Sequence, residues 1–417
     1  MDTNLRAAGR AHSLRRFTLW SLSLTAACLP LYVVRWHIGP LPTTLLELLI
    51  LVTSGAYVAT LITQHRLPAA RSWLDVPIAL LLLAGLIGIV VAPDHVRALG
   101  IYRAYFVEAV ACFYIAVDLL RTRDDLRVFL LIAGLGACAM AVGQIISFAW
   151  VFAQGNLQLT GAPAFLNTSP NSVAMYLEPP LAFAVAFAVF PSGPRARWMA
   201  VAMLVILFVA IVLTLSRASY LAMAVLAIVL VLSLQHRTWR LRAVAALAVL
   251  GLLTLEVPFV NERFLNLARS VTNRTSIYHQ ALQMLSERPI FGAGISGFAT
   301  RVAPFRPPNQ PIHLYAHDVW LTTWSELGLL GLFTFAVIFF GLIWSGARAL
   351  PRTAGLYRPL LWGAVGALVL YTVHGLFDSP YWKNDLSVEF WLLAALQIVA
   401  VRSASGSPRN ASASAAP

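Results

Sequence analysis

Long apolar runs, each about as long as a bilayer's hydrocarbon layer is thick, alternate along this chain with short polar connections. A helix needs about 20 largely apolar residues to cross that layer, and twelve segments meet the requirement: 17–36, 43–63, 74–92, 99–120, 126–150, 172–191, 196–215, 218–235, 239–256, 318–345, 358–377 and 386–401. The pattern predicts an all-α polytopic membrane protein. The basic residues then set its orientation. With the N-terminus inside, the inside segments hold nineteen basic residues and the short outside loops hold four, namely Arg35, Arg97, Arg217 and Lys383. Cytoplasmic loops carry the Arg and Lys excess, so both termini are expected in the cytoplasm and the span count is expected to be even.

One connection is long. Residues 257–317 lie outside in this topology, and a loop of that length is usually functional or a small structured unit. Within it Arg274 to Glu287 reads as an amphipathic helix closed by Pro289. Pro304, Pro307, Pro308 and Pro311 predict an extended strap over 303–312, because proline removes an N–H and restricts the residue before it. The expected organisation is therefore a cytoplasmic N-terminus (1–16), transmembrane helices one to nine (17–256), a partly helical periplasmic loop (257–317), helices ten to twelve (318–401) and a Ser/Ala-rich, disordered cytoplasmic tail (402–417).

Composition narrows the class. The chain has 417 residues, 59% of them hydrophobic and 11% charged, where a soluble protein would carry about 25% charged residues. Its mean hydropathy is +0.76. The net charge of +13 is scattered in short runs between apolar segments, which is membrane topology and not a nucleic-acid face. Cys28, Cys112 and Cys138 all sit inside apolar runs and read as small core residues. The first run lacks a small-residue cleavage motif, so an uncleaved first span is expected.

Charges inside spans are costly and need a reason. Glu47, Arg103, Glu108, Glu178, Glu326 and Glu389 fall in the outer halves of their segments, and His374 and Asp378 fall at the outer end of the eleventh. Only Asp118 lies near an inner end. Each alone reads more readily as a snorkelling or pairing group. As a set they predict a polar cavity open to the outside, roofed by the long loop. Arg103 and Glu108, five apart, are expected to diverge around an α-helix.

Four stretches carry candidate chemistry. Arg217 stands in Thr214-Leu-Ser-Arg-Ala-Ser-Tyr220, a tight turn between two spans, where a planar permanent cation suits phosphate oxygens as well as it suits lipid headgroups. His313-Leu-Tyr-Ala-His-Asp-Val-Trp ends the long loop. There His317 is a candidate proton acceptor, Asp318 a candidate helix cap or ligand contact, and Trp320 and Trp324 suit an aromatic wall for a sugar ring and an interfacial aromatic belt equally. The i,i+4 pair His313 and His317 lacks a third ligand, so no metal site is expected. Asn273-Arg274 offers a second phosphate contact. Gly292, Gly294 and Gly297 spell GxGxxG, but no strand precedes it, so a dinucleotide site is rejected in favour of a tight turn that offers backbone N–H groups. Asn171, just before the sixth span, can cap that helix or bind a sugar hydroxyl.

Taken in order, Leu215-Ser-Arg-Ala-Ser219, Asn273-Arg274 leading to Pro289-Ile-Phe-Gly-Ala-Gly294, and Ala316-His317-Asp318 running to Glu326-Leu-Gly-Leu-Leu-Gly331 resemble the O-antigen ligase and polymerase superfamily, over roughly 160–400. The resemblance implies a GT-C-like membrane glycosyltransferase of the bacterial inner membrane. It would move a glycan from undecaprenyl pyrophosphate to an acceptor hydroxyl at the periplasmic face, with inversion and with neither metal nor cofactor. It implies that Arg217 and Arg274 hold the pyrophosphate and that His317 is the base. Asn171, Asp318, Trp320 and Arg103 are further candidate substrate contacts. The family usually has Asn after the motif histidine; Asp318 departs from that. Lipid A–core is the preferred acceptor, with a growing polysaccharide, and hence a polymerase, as the alternative. A membrane transporter is the alternative of another class, and it would need polar groups continuing to the cytoplasmic side, where only Asp118 is found.

Overall fold

The computed structural model describes residues 2–38, 41–157, 161–190, 193–234, 267–405 and, between 237 and 251, positions 237–238, 240–242, 244–245, 249 and 251. The predicted segment 239–256 and the tail after Ser405 therefore lie largely outside the described residues. Each other predicted segment contains a helix: α1 (Asp2–Ala27), α2 (Leu45–Thr63), α3 (Asp75–Val91), α4 (His95–Leu119), α5 (Arg123–Ala153), α6 (Pro170–Val189), α7 (Pro194–Leu213), α8 (Arg217–Ser233), α10 (Val319–Ala349), α11 (Tyr357–Gly375) and α12 (Asn384–Ser405). The loop adds α9 (Leu267–Glu287). Seven of the described helices, α2, α4, α5, α6, α7, α10 and α12, are long and apolar enough to cross a membrane, while α3 and α8 are apolar but shorter. The chain is a polytopic, mostly helical membrane protein. The apolar stretch of α12 is 83% buried, against 28% for α5 and α7, so α12 runs through the centre of the bundle and the other two face lipid.

Local chemistry sets the helix starts. Thr122 accepts from Asp125 N while the Asp125 carboxylate accepts from Thr122 N, a reciprocal cap on α5. Thr44, Ser169 and Ser216 cap α2, α6 and α8. At the opposite end of the bundle from the long loop, Asp118 accepts from Tyr57, from both terminal nitrogens of Arg66, and from Arg121. Its carboxylate is thus taken up in holding the α2–α3 connection.

The structure corrects the sequence reading in several places. The first predicted segment is not helical to residue 36. After Ala27 a 3-10 turn begins at Leu29–Val33 with Pro30 near its start, and β1 (Arg35–Ile38) then pairs antiparallel with β2 (Leu41–Thr44). A proline without an N–H, followed by β-branched and aromatic residues, favours that exit. The all-α reading therefore needs one small hairpin added. The strap holds a 3-10 turn at Ala303–Phe305 before it becomes irregular.

Arg103 and Glu108 do pair, at 3.2 Å between Arg103 Nε and Glu108 Oε1. Residues 103–107 form a π-helical turn in which Glu108 N–H bonds to the Arg103 carbonyl. An i→i+5 turn brings round to one side two residues that an α-helix would separate.

The largest correction is in α10. Gly328 has φ 67 and ψ −169, and the chain reverses there. In a straight helix Trp320 and Phe340 would stand about 30 Å apart; their rings are stacked at 5.2 Å between centroids. Trp320 also meets Phe335 and Phe339. The nine-residue arm Val319–Leu327 is too short to cross a bilayer and folds back along the longer arm that starts at Leu329. Loop 289–297 fills the break. Leu329 N donates to Ile290 O at 2.9 Å, and Ala293 N to Ser325 O at 2.6 Å. A Cβ on Gly328 would fall on the Ile290 carbonyl, and one on Gly292 would fall on the carbonyls of Trp324 and Ser325. The glycine motif is built for this close approach. Its N–H groups are committed to the protein: Ile295 N to Gly88 O, Ser296 N to the Glu326 carboxylate.

Candidate functional site

The reversal of α10 carries His317 back into the bundle instead of leaving it at a surface junction. His317 has φ 54, a left-handed conformation that costs a non-glycine residue about 1–2 kcal/mol. Several contacts hold it there. Asp318 N-caps α10 by accepting from Leu321 N at 2.7 Å. Tyr278 on α9 donates its hydroxyl both to the His317 carbonyl (3.1 Å) and to the Leu376 carbonyl (2.7 Å). Leu215, two residues before Arg217, has φ 56. Two strained residues thus sit at or beside candidate site positions, as functional sites commonly show.

Behind the imidazole lies Asp378, in the turn between α11 and α12. Its Oδ1 is 3.3 Å from His317 Nδ1, and its Oδ2 accepts from Asn171 Nδ2 at 3.1 Å. A carboxylate at Nδ1 favours the proton on that nitrogen and leaves Nε2 as the basic one. The His317 side chain is 35% exposed and that of Asp378 only 14%, so the imidazole is the group an incoming molecule can reach. The His313 ring packs edge-on against it, 5.3 Å between centroids.

The same turn touches the arginine helix. Arg274, one helical turn before Tyr278, lies over the Phe377 ring at 5.8 Å, within cation–π range. Its buried Nη1 has no hydrogen-bond acceptor among the described residues. One level deeper, His374 Nδ1 stands 2.7 Å from Glu178 Oε1 on α6 and 3.5 Å from Ser219 Oγ on α8. Ser219 follows Arg217 by two residues, and Arg217 is the half-buried first residue of α8. Segments bearing Arg217, Arg274, His317 and Asn171 therefore all meet residues 374–378.

Electrostatics follow from this packing. Burial pushes the Asp378 carboxyl up, but the His317 hydrogen bond and charge, with His374 and Arg274, outweigh it and hold the group well below the usual carboxylate range. Burial raises Asp318, partly opposed by the N–H groups of Leu321 and Trp320. Burial lowers His313, and the charges of His317 and Arg306 add to the effect. Burial pushes Tyr278 up to about 12, so its hydroxyl stays a donor.

Other expected contacts sit differently. Arg103 is paired with Glu47 and Glu108. Trp320 is packed into its own folded helix, and Trp324 donates to the Pro289 carbonyl at 2.7 Å. The expected aromatic wall beside His317 is thus taken up in the α10 reversal. Asp318 is committed to its cap. Sequence reasoning placed Asp378 and His374 at the outer end of a span without assigning them to the catalytic group; two ionisable residues four apart at the end of one apolar run were the available signal.

Among known families, residues 202–336 match the model described as O-antigen ligase. The match begins within α7, ends in the second arm of α10, and takes in Arg217, Arg274 and His317. It supports the O-antigen ligase superfamily for this chain. No curated protein matches it.

Proposed function

From the O-antigen ligase match and the grouping around Asp378, we propose that the chain transfers a glycan from undecaprenyl pyrophosphate to an acceptor hydroxyl at the periplasmic face, the acceptor being lipid A–core. The observation that carries the reading is the meeting, at one short turn, of an imidazole backed by a carboxylate and a guanidinium with an unpaired buried donor.

In this proposal the acceptor hydroxyl gives its proton to His317 Nε2 as its oxygen bonds to the anomeric carbon. The bond from that carbon to the diphosphate oxygen breaks on the opposite face, and its electron pair leaves with the diphosphate. In-line displacement inverts the anomeric centre. Arg274 and Arg217 stabilise the growing negative charge, a role that fixed guanidinium donors suit, so the reaction needs neither a metal nor a cofactor. Asp378 holds the imidazole tautomer and stabilises the imidazolium, and Asn171 holds Asp378. The proposal also carries twelve spans in a GT-C-like arrangement in the bacterial inner membrane, with 239–256 as the ninth and both termini in the cytoplasm.

Purified protein incubated with lipid-linked glycan and two acceptors tests this. Glycan appearing on lipid A–core supports the proposal. Product only on a second lipid-linked glycan makes the chain a polymerase. Solute flux without transfer makes it a transporter.

A further inference from the structure

Beneath the turn that carries Phe377 and Asp378 lies a histidine with no part in the reaction as written. His374 is 0% exposed and its partner Glu178 is 1% exposed. The Nδ1–Oε1 distance of 2.7 Å marks a strong, desolvated hydrogen bond. The ring's Nε2 is buried and has no partner among the described residues, so the imidazole is held from one side only.

Three connections leave this residue. Its carbonyl accepts the N–H groups of Phe377 (2.9 Å) and Asp378 (3.0 Å), and so shapes the turn that lays Phe377 under Arg274 and Asp378 behind His317. Its ring grips α6 through Glu178, two helical turns below Asn171, which itself holds Asp378 Oδ2. Ser219, near the start of α8, approaches the same Nδ1 at 3.5 Å. The turn is therefore tied to α6 at two levels and to the helix that begins with Arg217.

We infer that His374 is a positioning residue: held by Glu178 on α6 and approached by Ser219 on α8, its ring fixes the spacing between the α8 end bearing Arg217 and the turn that orients His317. This rests on the proposed transfer reaction. Its chemical consequence is a fixed distance between the diphosphate leaving group and the base. Loss of that spacing slows the chemical step more than it weakens donor binding, because a misplacement of about 1 Å costs up to about a hundredfold in rate.

The test compares His374→Leu with the nearly isosteric His374→Asn, which retains an N–H near the place of Nδ1, and with Glu178→Gln, which retains the acceptor. Steady-state transfer is measured with purified lipid-linked glycan, and folding by the thermal midpoint. The expected result is that His374→Leu lowers kcat at least about tenfold with donor KM within about twofold, and that His374→Asn and Glu178→Gln recover most of the loss. Wild-type kcat in folded His374→Leu overturns the inference, as does a Leu and Asn pair that loses activity equally with equal loss of thermal midpoint. If His317→Ala retains activity, the underlying reading fails instead. If His317→Ala is inactive while His374→Leu is fully active, only this inference fails.

Discussion

His317 and Asp378 are 61 positions apart, and their Nδ1 and Oδ1 atoms stand 3.3 Å from one another. One belongs to the end of the long loop and the other to the turn between the last two helices. Their meeting gives the loop histidine a defined basic nitrogen. The contact is long for a charge-assisted hydrogen bond in the resting protein, and catalytic bonds often tighten when substrate arrives.

Asp378→Asn keeps the shape and removes the charge. With Asn there, the Nδ1 proton loses its carboxylate acceptor and the opposite tautomer becomes available. The expected outcome is a fall in kcat of at least about a hundredfold with lipid-linked donor still bound. Initial rates and a separate donor-binding measurement check it; unchanged kcat rejects the orienting role.

Acidification should act through the same carboxylate. The folded protein holds Asp378 below its unfolded value of about 3.9. As pH falls, the unfolded chain takes up that proton first, so the stabilisation present at neutral pH is lost below about pH 4. Thermal midpoints in detergent at pH 7 and pH 3 should drop by less in Asp378→Asn than in the wild type. Parallel drops would show that the carboxylate is not held by the pair.

Arg274 combines a charge with a flat face over Phe377. Lysine keeps the charge but neither the planar fork nor the stacking. Transfer rates should rank wild type first, Arg274→Lys lower and Arg274→Ala lowest, with Lys recovering only part of the loss. Equal activity of Lys and wild type would reduce the site to a point charge.

Gly328 supports the reversal that places His317. A methyl group there meets the Ile290 carbonyl, at a backbone angle foreign to L side chains. Gly328→Ala should destabilise by about 2–4 kcal/mol, seen as a lowered thermal midpoint, and should reduce transfer even where the protein survives purification. A neutral effect would contradict the folded-back arm.

Much of the fold was legible because it depends on local signals. Apolar length gave the helices, Asp318 before Val319 gave the start of α10, and Pro289 gave the end of α9. The errors share one cause, which is geometry that sequence spacing cannot carry. The Arg103–Glu108 pair needs a π-turn, and its five-residue spacing argues the other way. Sequence spacing makes Trp320 part of an aromatic wall for a sugar ring, whereas the reversal at Gly328 turns it onto Phe335, Phe339 and Phe340. A glycine inside an apolar helix gives little sign of a reversal until the loop that fills the break is seen. Asp378 escaped assignment because its partner lies on another element, and only packing brings them together.

Glycan transfer by reconstituted His317→Ala protein is the most direct measurement of the whole account. With lipid-linked glycan and lipid A–core supplied, the wild type should form product. The variant, folded with an unchanged thermal midpoint and still binding donor, should form none above the uncatalysed background. Product formed by the variant at the wild-type rate would contradict the assignment of His317 as the base.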